Sequence, residues 1–101
     1  MPMERLTVVI AAHNEAESLP LLHPRIVSAL RQLETVDGHV LYVDDGSTDG
    51  TWEMLQRLAR QDAKVSLLRL SRNFGKEAAL TAGLDQVESG AAIILDADGQ
   101  D

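Results

Sequence analysis

The sequence predicts an α/β domain, a three-layer αβα sandwich around a mostly parallel sheet, on three observations. Four short runs are apolar on both faces, three segments between them repeat apolar residues at helical spacing, and the two kinds alternate along the chain. Near-continuous Val, Ile and Leu, rather than strict alternation, is what strands covered by helices on both sides require. Alternating elements of this kind close into layers through right-handed crossovers.

The first run, Leu6 to Ala12, opens the sheet. After it, Leu19, Leu22, Ile26, Leu30 and Leu33 recur every three or four residues and form one stripe. Asn14 and Glu17 are candidates to cap the start of that helix. Pro20 and Pro24 argue for an irregular start and a regular helix from about Pro24, because a proline beyond the first turn loses a hydrogen bond and costs about 3 kcal/mol. His39 to Val43 reads as the second strand, followed by a helix from about Thr48 or Asp49 to Arg60 that buries Trp52, Leu55 and Leu58 or Ala59, with Ser47 or Thr48 as its cap. Val65 to Leu70 is the third strand. The third helix is expected from about Gly75 to Val87, burying Ala79, Leu80, Leu84 and Val87, with Gly90 breaking it before the last strand, Ala91 to Leu95.

At 101 residues the chain holds one domain, spanning 1–101. Apolar residues make up 45% and charged residues 25%, enough to bury a core. Nine Lys plus Arg stand against sixteen Asp plus Glu, a formal charge of -7, and the aromatics are only Tyr42, Trp52 and Phe74. Such a chain repels phosphate backbones and has few platforms for base stacking, so nucleic acid is not expected as a partner. Without cysteine there are no disulfides or thiolate metal sites. No signal peptide is visible, and the longest apolar stretches, such as Val8 to Ala12, are too short to span a bilayer.

Ligands of open parallel sheets bind beyond the carboxyl ends of the strands, and those ends carry nearly all the unusual polar residues here. The first delivers His13, Asn14 and Glu15, the second Asp44, Asp45, Gly46 and Ser47, the third Ser71, Arg72 and Asn73, and the fourth Asp96, Asp98, Gln100 and Asp101. Asp96-Ala97-Asp98-Gly99-Gln100 presents two carboxylates and an amide as hard oxygen ligands, the kind Mg²⁺ or Mn²⁺ accepts beside a pyrophosphate. An acidic turn is the bland alternative, and placement directly after an apolar strand speaks against it. In Asp44-Asp45-Gly46-Ser47-Thr48-Asp49-Gly50-Thr51 an aspartate, Asp45 before the others, can accept a base imide N–H, Gly46 permits a tight turn, and Ser47, Thr48 and Asp49 read first as turn and cap chemistry. Position favours a functional Glu15 and leaves His13, Arg69, Arg72 and Lys76 open between site and ordinary surface roles. His23 and His39 read as structural or solvent-exposed. There is no GxGxxG, Walker or GxSxG motif.

Taken in order, Val9-Ile10-Ala11-Ala12-His13-Asn14-Glu15, Val43-Asp44-Asp45-Gly46-Ser47-Thr48-Asp49-Gly50-Thr51, Ser71-Arg72-Asn73-Phe74-Gly75-Lys76-Glu77-Ala78-Ala79 and Leu95-Asp96-Ala97-Asp98-Gly99-Gln100-Asp101 resemble a family 2 glycosyltransferase. Within it the chain is most similar to the branch of dolichol-phosphate mannose synthases and bacterial polyprenyl-phosphate glycosyltransferases. The sequence departs from the usual motifs at Ala11 and His13, where Pro and Tyr are expected, and at Gly99, where an apolar residue is usual. The resemblance implies the N-terminal half of a GT-A domain with a Rossmann-like sheet, truncated after the DxD motif, and a cytoplasmic location or the cytoplasmic face of a membrane. It implies that Ala11, His13 and Glu15 line the nucleotide, that Asp45 contacts the base with Asp44 beside it, and that Lys76 lies near the donor. Asp96 then approaches ribose or metal, and Asp98 and Gln100 ligate Mg²⁺ or Mn²⁺. The implied donor is a UDP- or GDP-linked sugar, the implied acceptor a lipid phosphate such as undecaprenyl phosphate, and the implied reaction an inverting displacement whose base lies outside this chain. The alternatives are a module that binds nucleotide or metal without catalysis and a phosphoacceptor signalling domain; the latter would carry its acidic pair after the first strand, where His13, Asn14 and Glu15 stand. In the family's strand order the last strand pairs with the first and leaves an apolar edge, so self-association through that edge or a swap of the C-terminal segment is expected.

Overall fold

Four strands and three helices alternate along the chain in a computed structural model that describes residues 3–97. They are β1 (Glu4–Ala12), α1 (Leu19–Arg31), β2 (Val36–Asp44), α2 (Thr51–Gln61), β3 (Val65–Arg69), α3 (Lys76–Gln86) and β4 (Ala91–Asp96). All pairings are parallel, in the order β3-β2-β1-β4. Val8 faces Val40 on one side and Ile93 on the other, so the polar tails of all four strands emerge at one end.

The central strands are buried on both faces, and their alternation sorts two cores. Val8, Ile10, Ala12, Val40 and Tyr42 pack with Leu19 and Ile26 of α1 and Leu55 of α2. Val9, Leu41 and Val43 face the other way, against Ala79 of α3. The sandwich therefore has its three layers, with two helices on one face and one on the other. Close approach sets the geometry of α3. A Cβ on Gly83 would lie 2.7 Å from a Val9 methyl and 2.8 Å from a Val43 methyl, so the helix sits at a depth that only glycine permits.

Several helix expectations need correction. α1 is regular from Leu19, not from Pro24. Pro20 falls in the first turn, where its missing N–H had no intrahelical acceptor, and Pro24 loses one bond while Leu19, His23 and Ile26 stay buried. No side chain caps that helix; the Glu15 carbonyl accepts the N–H groups of Ser18 and Leu19 instead. α2 begins at Thr51 without a side-chain cap bond, so Ser47 and Thr48 are not its caps. Leu33 and Leu84, expected inside, are exposed, because α1 ends before the first and α3 buries its small face of Ala79 and Gly83.

His23 is structural. It is buried, with Nδ1 2.7 Å from the hydroxyl of the fully buried Tyr42, so each satisfies the other's polar atom. Burial lowers the His23 pKa and raises that of Tyr42. At the opposite end of the sheet from the polar strand tails, His39 and Lys64 hydrogen-bond the Asp37 carboxylate at 3.0 and 2.9 Å and hold its pKa down to about 2. The last strand differs from the others: Ile93, Ile94 and Leu95 are each 40 to 46% exposed. Among the described residues, no strand pairs with the outer edge of β4 and no helix is long and apolar enough to cross a membrane.

Candidate functional site

The carboxyl ends of β1, β2 and β4 and the start of α3 enclose a cleft of about 90 Å³ lined by Ala11, Ala12, His13, Glu15, Asp45, Lys76, Asp96 and Ala97. Six of the seven sequence-predicted nucleotide residues line it, drawn from four segments of the chain. Asp44 does not. It is fully buried behind the wall, where Oδ1 accepts the Ser47 N–H at 3.1 Å. Its Oδ2 has no hydrogen-bond partner, and the Arg69 guanidinium lies 3.8 Å away while stacking 4.9 Å over Trp52. Asp98 and Gln100 lie outside the described residues.

Each side chain is set by its neighbours. Asp45 is nearly buried, and its two carboxylate oxygens accept the N–H groups of Phe74 and Gly75 at 2.8 and 3.1 Å. The second strand end thereby pins the loop that opens α3. The Asp45 carbonyl lies 2.8 Å from His13 Nδ1 and accepts Asn73 Nδ2–H at 3.3 Å, and Asn73 Nδ2 is also 3.0 Å from His13 Nδ1, so the ring is held between the two. Across the cleft, Lys76 Nζ meets Asp96 Oδ1 at 2.6 Å. Three carboxylates, from Glu15, Asp45 and Asp96, thus face one ammonium. A diphosphate entering that field needs a cation beside it.

Beside this cleft a groove of about 760 Å³ runs along His13, Gly46, Thr48, Arg69, Arg72 and Asn73. Gly46 shapes the wall between them. Its φ is +66°, and an added Cβ would come within 2.3 Å of the Arg72–Asn73 backbone, so no other residue fits there without moving that loop. Arg72 stacks over the half-exposed Phe74 ring at 4.1 Å.

Sequence reading named Asn14, Ser47, Thr48 and Asp49 as cap or turn residues but missed the bonds by which they hold the loops to one another. Asn14 adopts a left-handed φ of 54°, and its Oδ1 accepts the N–H groups of Thr48 at 2.8 Å and Asp49 at 3.3 Å. In return its own N–H bonds Ser47 Oγ at 2.9 Å, and the Glu15 N–H bonds Thr51 Oγ1 at 2.8 Å. The Thr51 hydroxyl in turn donates to Asp49, whose carboxyl this bond holds below its usual pKa. Asn directly after a strand, tolerant of the left-handed region, and the Asp-x-Thr spacing of 49–51 were the available signals. The expected cap role of Asn14 on α1 is replaced by this clasp.

Comparison with known proteins bears on the whole chain. The glycosyl transferase family 2 model matches residues 7–101. The undecaprenyl-phosphate 4-deoxy-4-formamido-L-arabinose transferase of Serratia proteamaculans is 42% identical over 100 residues, covering 98% of this chain and 30% of that protein. The putative glycosyltransferase CsbB of Bacillus subtilis is 34% identical over 95 residues, 94% of this chain and 29% of its own length. Among solved structures, the mannosyltransferase PcManGT of Pyrobaculum calidifontis, in complex with GDP-Man and Mn²⁺, superposes with a TM-score of 0.75 at 27% identity, over 97% of this chain and 28% of that one. The chain therefore spans about 30% of the length of the curated relatives it matches. With a Rossmann-like parallel sheet of the GT-A kind and a family match over nearly its full length, the chain belongs to glycosyl transferase family 2.

Proposed function

We infer that the chain is the donor-binding part of an inverting, metal-dependent glycosyltransferase that moves a sugar from a nucleoside-diphosphate sugar to an acceptor. The observation that carries this reading is the convergence of Ala11, His13, Glu15, Asp45, Lys76 and Asp96 on one cleft at the carboxyl end of the sheet. In this reading Ala11, His13 and Glu15 line the nucleotide and Asp45 braces the base side. Asp44 acts from behind, through the Ser47 N–H that it holds.

The donor set suits a hard divalent cation. Asp96 lines an acidic cleft, and its carboxylate already holds one positive charge, the Lys76 ammonium. No three His, Asp or Glu side chains gather closely enough among the described residues to hold a metal. The family resemblance supplies the ligand set of this reading, Asp96 with Asp98 and Gln100, completed by the donor diphosphate. Mg²⁺ and Mn²⁺ both fit such oxygens, and the Pyrobaculum mannosyltransferase was solved with Mn²⁺. Bound there, the ion supplies Lewis-acid stabilisation of the departing nucleoside diphosphate.

UDP- and GDP-sugars are the candidate donors. The name of the Serratia relative supports a polyprenyl-phosphate acceptor, and in this reading the protein works at the cytoplasmic face of a membrane. An acceptor must be held in line and deprotonated by a base within about 3 Å, and positioning alone accounts for about 7 to 11 kcal/mol of a barrier. Among the described residues every carboxylate lining the cleft is assigned to the donor in this reading, so no sugar transfer is expected of this chain alone.

Calorimetric titration with UDP and GDP tests the reading. Nucleotide binding should depend on Mn²⁺ and disappear in Asp98→Ala. Equal affinity in both proteins sinks the metal assignment.

A further inference from the structure

We propose that Lys76 is a built-in counter-ion that holds Asp96 until the divalent cation arrives, gives way to it, and passes to the donor diphosphate; this deepens the donor-binding reading and rests on it. The juxtaposition behind it is specific. Lys76 is the first residue of α3, and the residue before it, Gly75, is tied through its N–H to the carboxylate of Asp45, directly after β2. From that anchored backbone the side chain crosses the cleft to Asp96 at the end of β4, with Nζ 2.6 Å from Oδ1. One ammonium thus bridges the two walls between which a nucleotide must enter.

The pair is accessible. The Lys76 side chain is 57% exposed and that of Asp96 30%, so the contact is held by charge rather than by a sealed environment and exchanges readily. A divalent cation on Asp96 and an ammonium on the same carboxylate repel each other, so the two compete for Oδ1. With three carboxylates in the cleft, removing the ammonium leaves an uncompensated acidic surface for a cation to fill. Once a diphosphate is present, the displaced ammonium has a new partner, because lysine serves phosphate as a flexible point charge. Lys76 therefore opposes the metal alone and favours the metal with its nucleotide, which selects for loading of the two together.

This double sign separates the proposal from a merely structural role. Lys76→Gln removes the charge at an exposed position, and Lys76→Arg keeps it. Free Mn²⁺ is measured by its electron paramagnetic resonance signal during titration with manganese chloride alone, and GDP and UDP are then titrated calorimetrically at saturating Mn²⁺. The glutamine variant should bind Mn²⁺ alone about 2- to 5-fold more tightly, the range expected for releasing a partly exposed pair. It should bind the nucleoside diphosphate more weakly, and the arginine variant should stay close to wild type in both. Mn²⁺ affinity that is unchanged or weaker in Lys76→Gln overturns the counter-ion proposal and leaves the metal reading intact. Absence of Mn²⁺ binding in every variant, with and without nucleotide, overturns both.

Discussion

Replacing Asn14 by alanine removes the clasp that joins the β1 and β2 loops, and its cost can be worked out from the structure. Two backbone N–H groups, of Thr48 and Asp49, lose their acceptor. Such bonds contribute about 0.5 to 1.5 kcal/mol each, and exposure of this loop puts them at the lower end, so together they account for about 1 kcal/mol. Alanine must also hold the φ of 54°, which asparagine tolerates and alanine does not, at a further cost of about 1 kcal/mol. The sum is about 2 kcal/mol. For a domain of this size, with a urea slope of about 1 to 2 kcal/mol/M, the midpoint should fall by about 1 to 2 M. Asn14→Gly separates the two terms, since glycine accepts the backbone angle but not the hydrogen bonds, and should recover about half the loss. Urea denaturation of the three proteins is the assay. A midpoint for Asn14→Ala within 0.3 M of wild type refutes the clasp, and a glycine variant less stable than the alanine one refutes the left-handed contribution.

Gly46→Ala should destabilise by at least about 2 kcal/mol, because its methyl meets the Arg72–Asn73 backbone at 2.3 Å; thermal melting shows it, and a melting temperature equal to wild type contradicts it. Burial lowers the His23 pKa from 6.5, so the folded chain binds fewer protons than the unfolded one. Stability is then fully present above pH 6.5 and lost as the pH falls through the folded value, and His23→Gln should flatten the dependence of melting temperature on pH below neutrality. Ile93, Ile94 and Leu95 on the outer strand should drive self-association at high micromolar concentration, which sedimentation detects and Ile94→Lys suppresses. A clean monomer for wild type counts against that.

The strands were legible because both faces of β1 and β2 are buried, which forces near-continuous runs such as Val8-Val9-Ile10 and Val40-Leu41-Tyr42-Val43. The helix faces were less so. Of the stripe that sequence reading gave α3, Ala79 is buried and Leu80 and Val87 pack against the core, whereas Leu84 stays outside and the close approach to Val9 and Val43 falls to Gly83. Pro20 and Pro24 misled in a related way, since their cost depends on which turn they occupy and on how much burial offsets it. In the site, position after a strand identified Glu15, Asp45 and Asp96. It could not separate Asp44 from Asp45, because alternation along an extended backbone sends one carboxylate behind the wall and the next into the cleft, and only the pairing register decides which. The clasp of Asn14 with Ser47 and Thr48 joins residues more than thirty positions apart, so an Asn directly after a strand signals a turn residue but not its partners.

Paramagnetic broadening by Mn²⁺ tests the central claim most directly. With the backbone amides assigned, Mn²⁺ added substoichiometrically together with GDP or UDP should erase the signals of Ala11, His13, Glu15, Asp45 and Lys76 first. Arg5 and Asp37 lie at the far end of the sheet, roughly 20 Å away by the rise of the six steps along β1 from Arg5 to Ala11, the partner of Asp96, and should broaden last. Broadening centred on Asp37, or spread evenly over the exposed carboxylates, would contradict a donor site at the carboxyl ends of the strands.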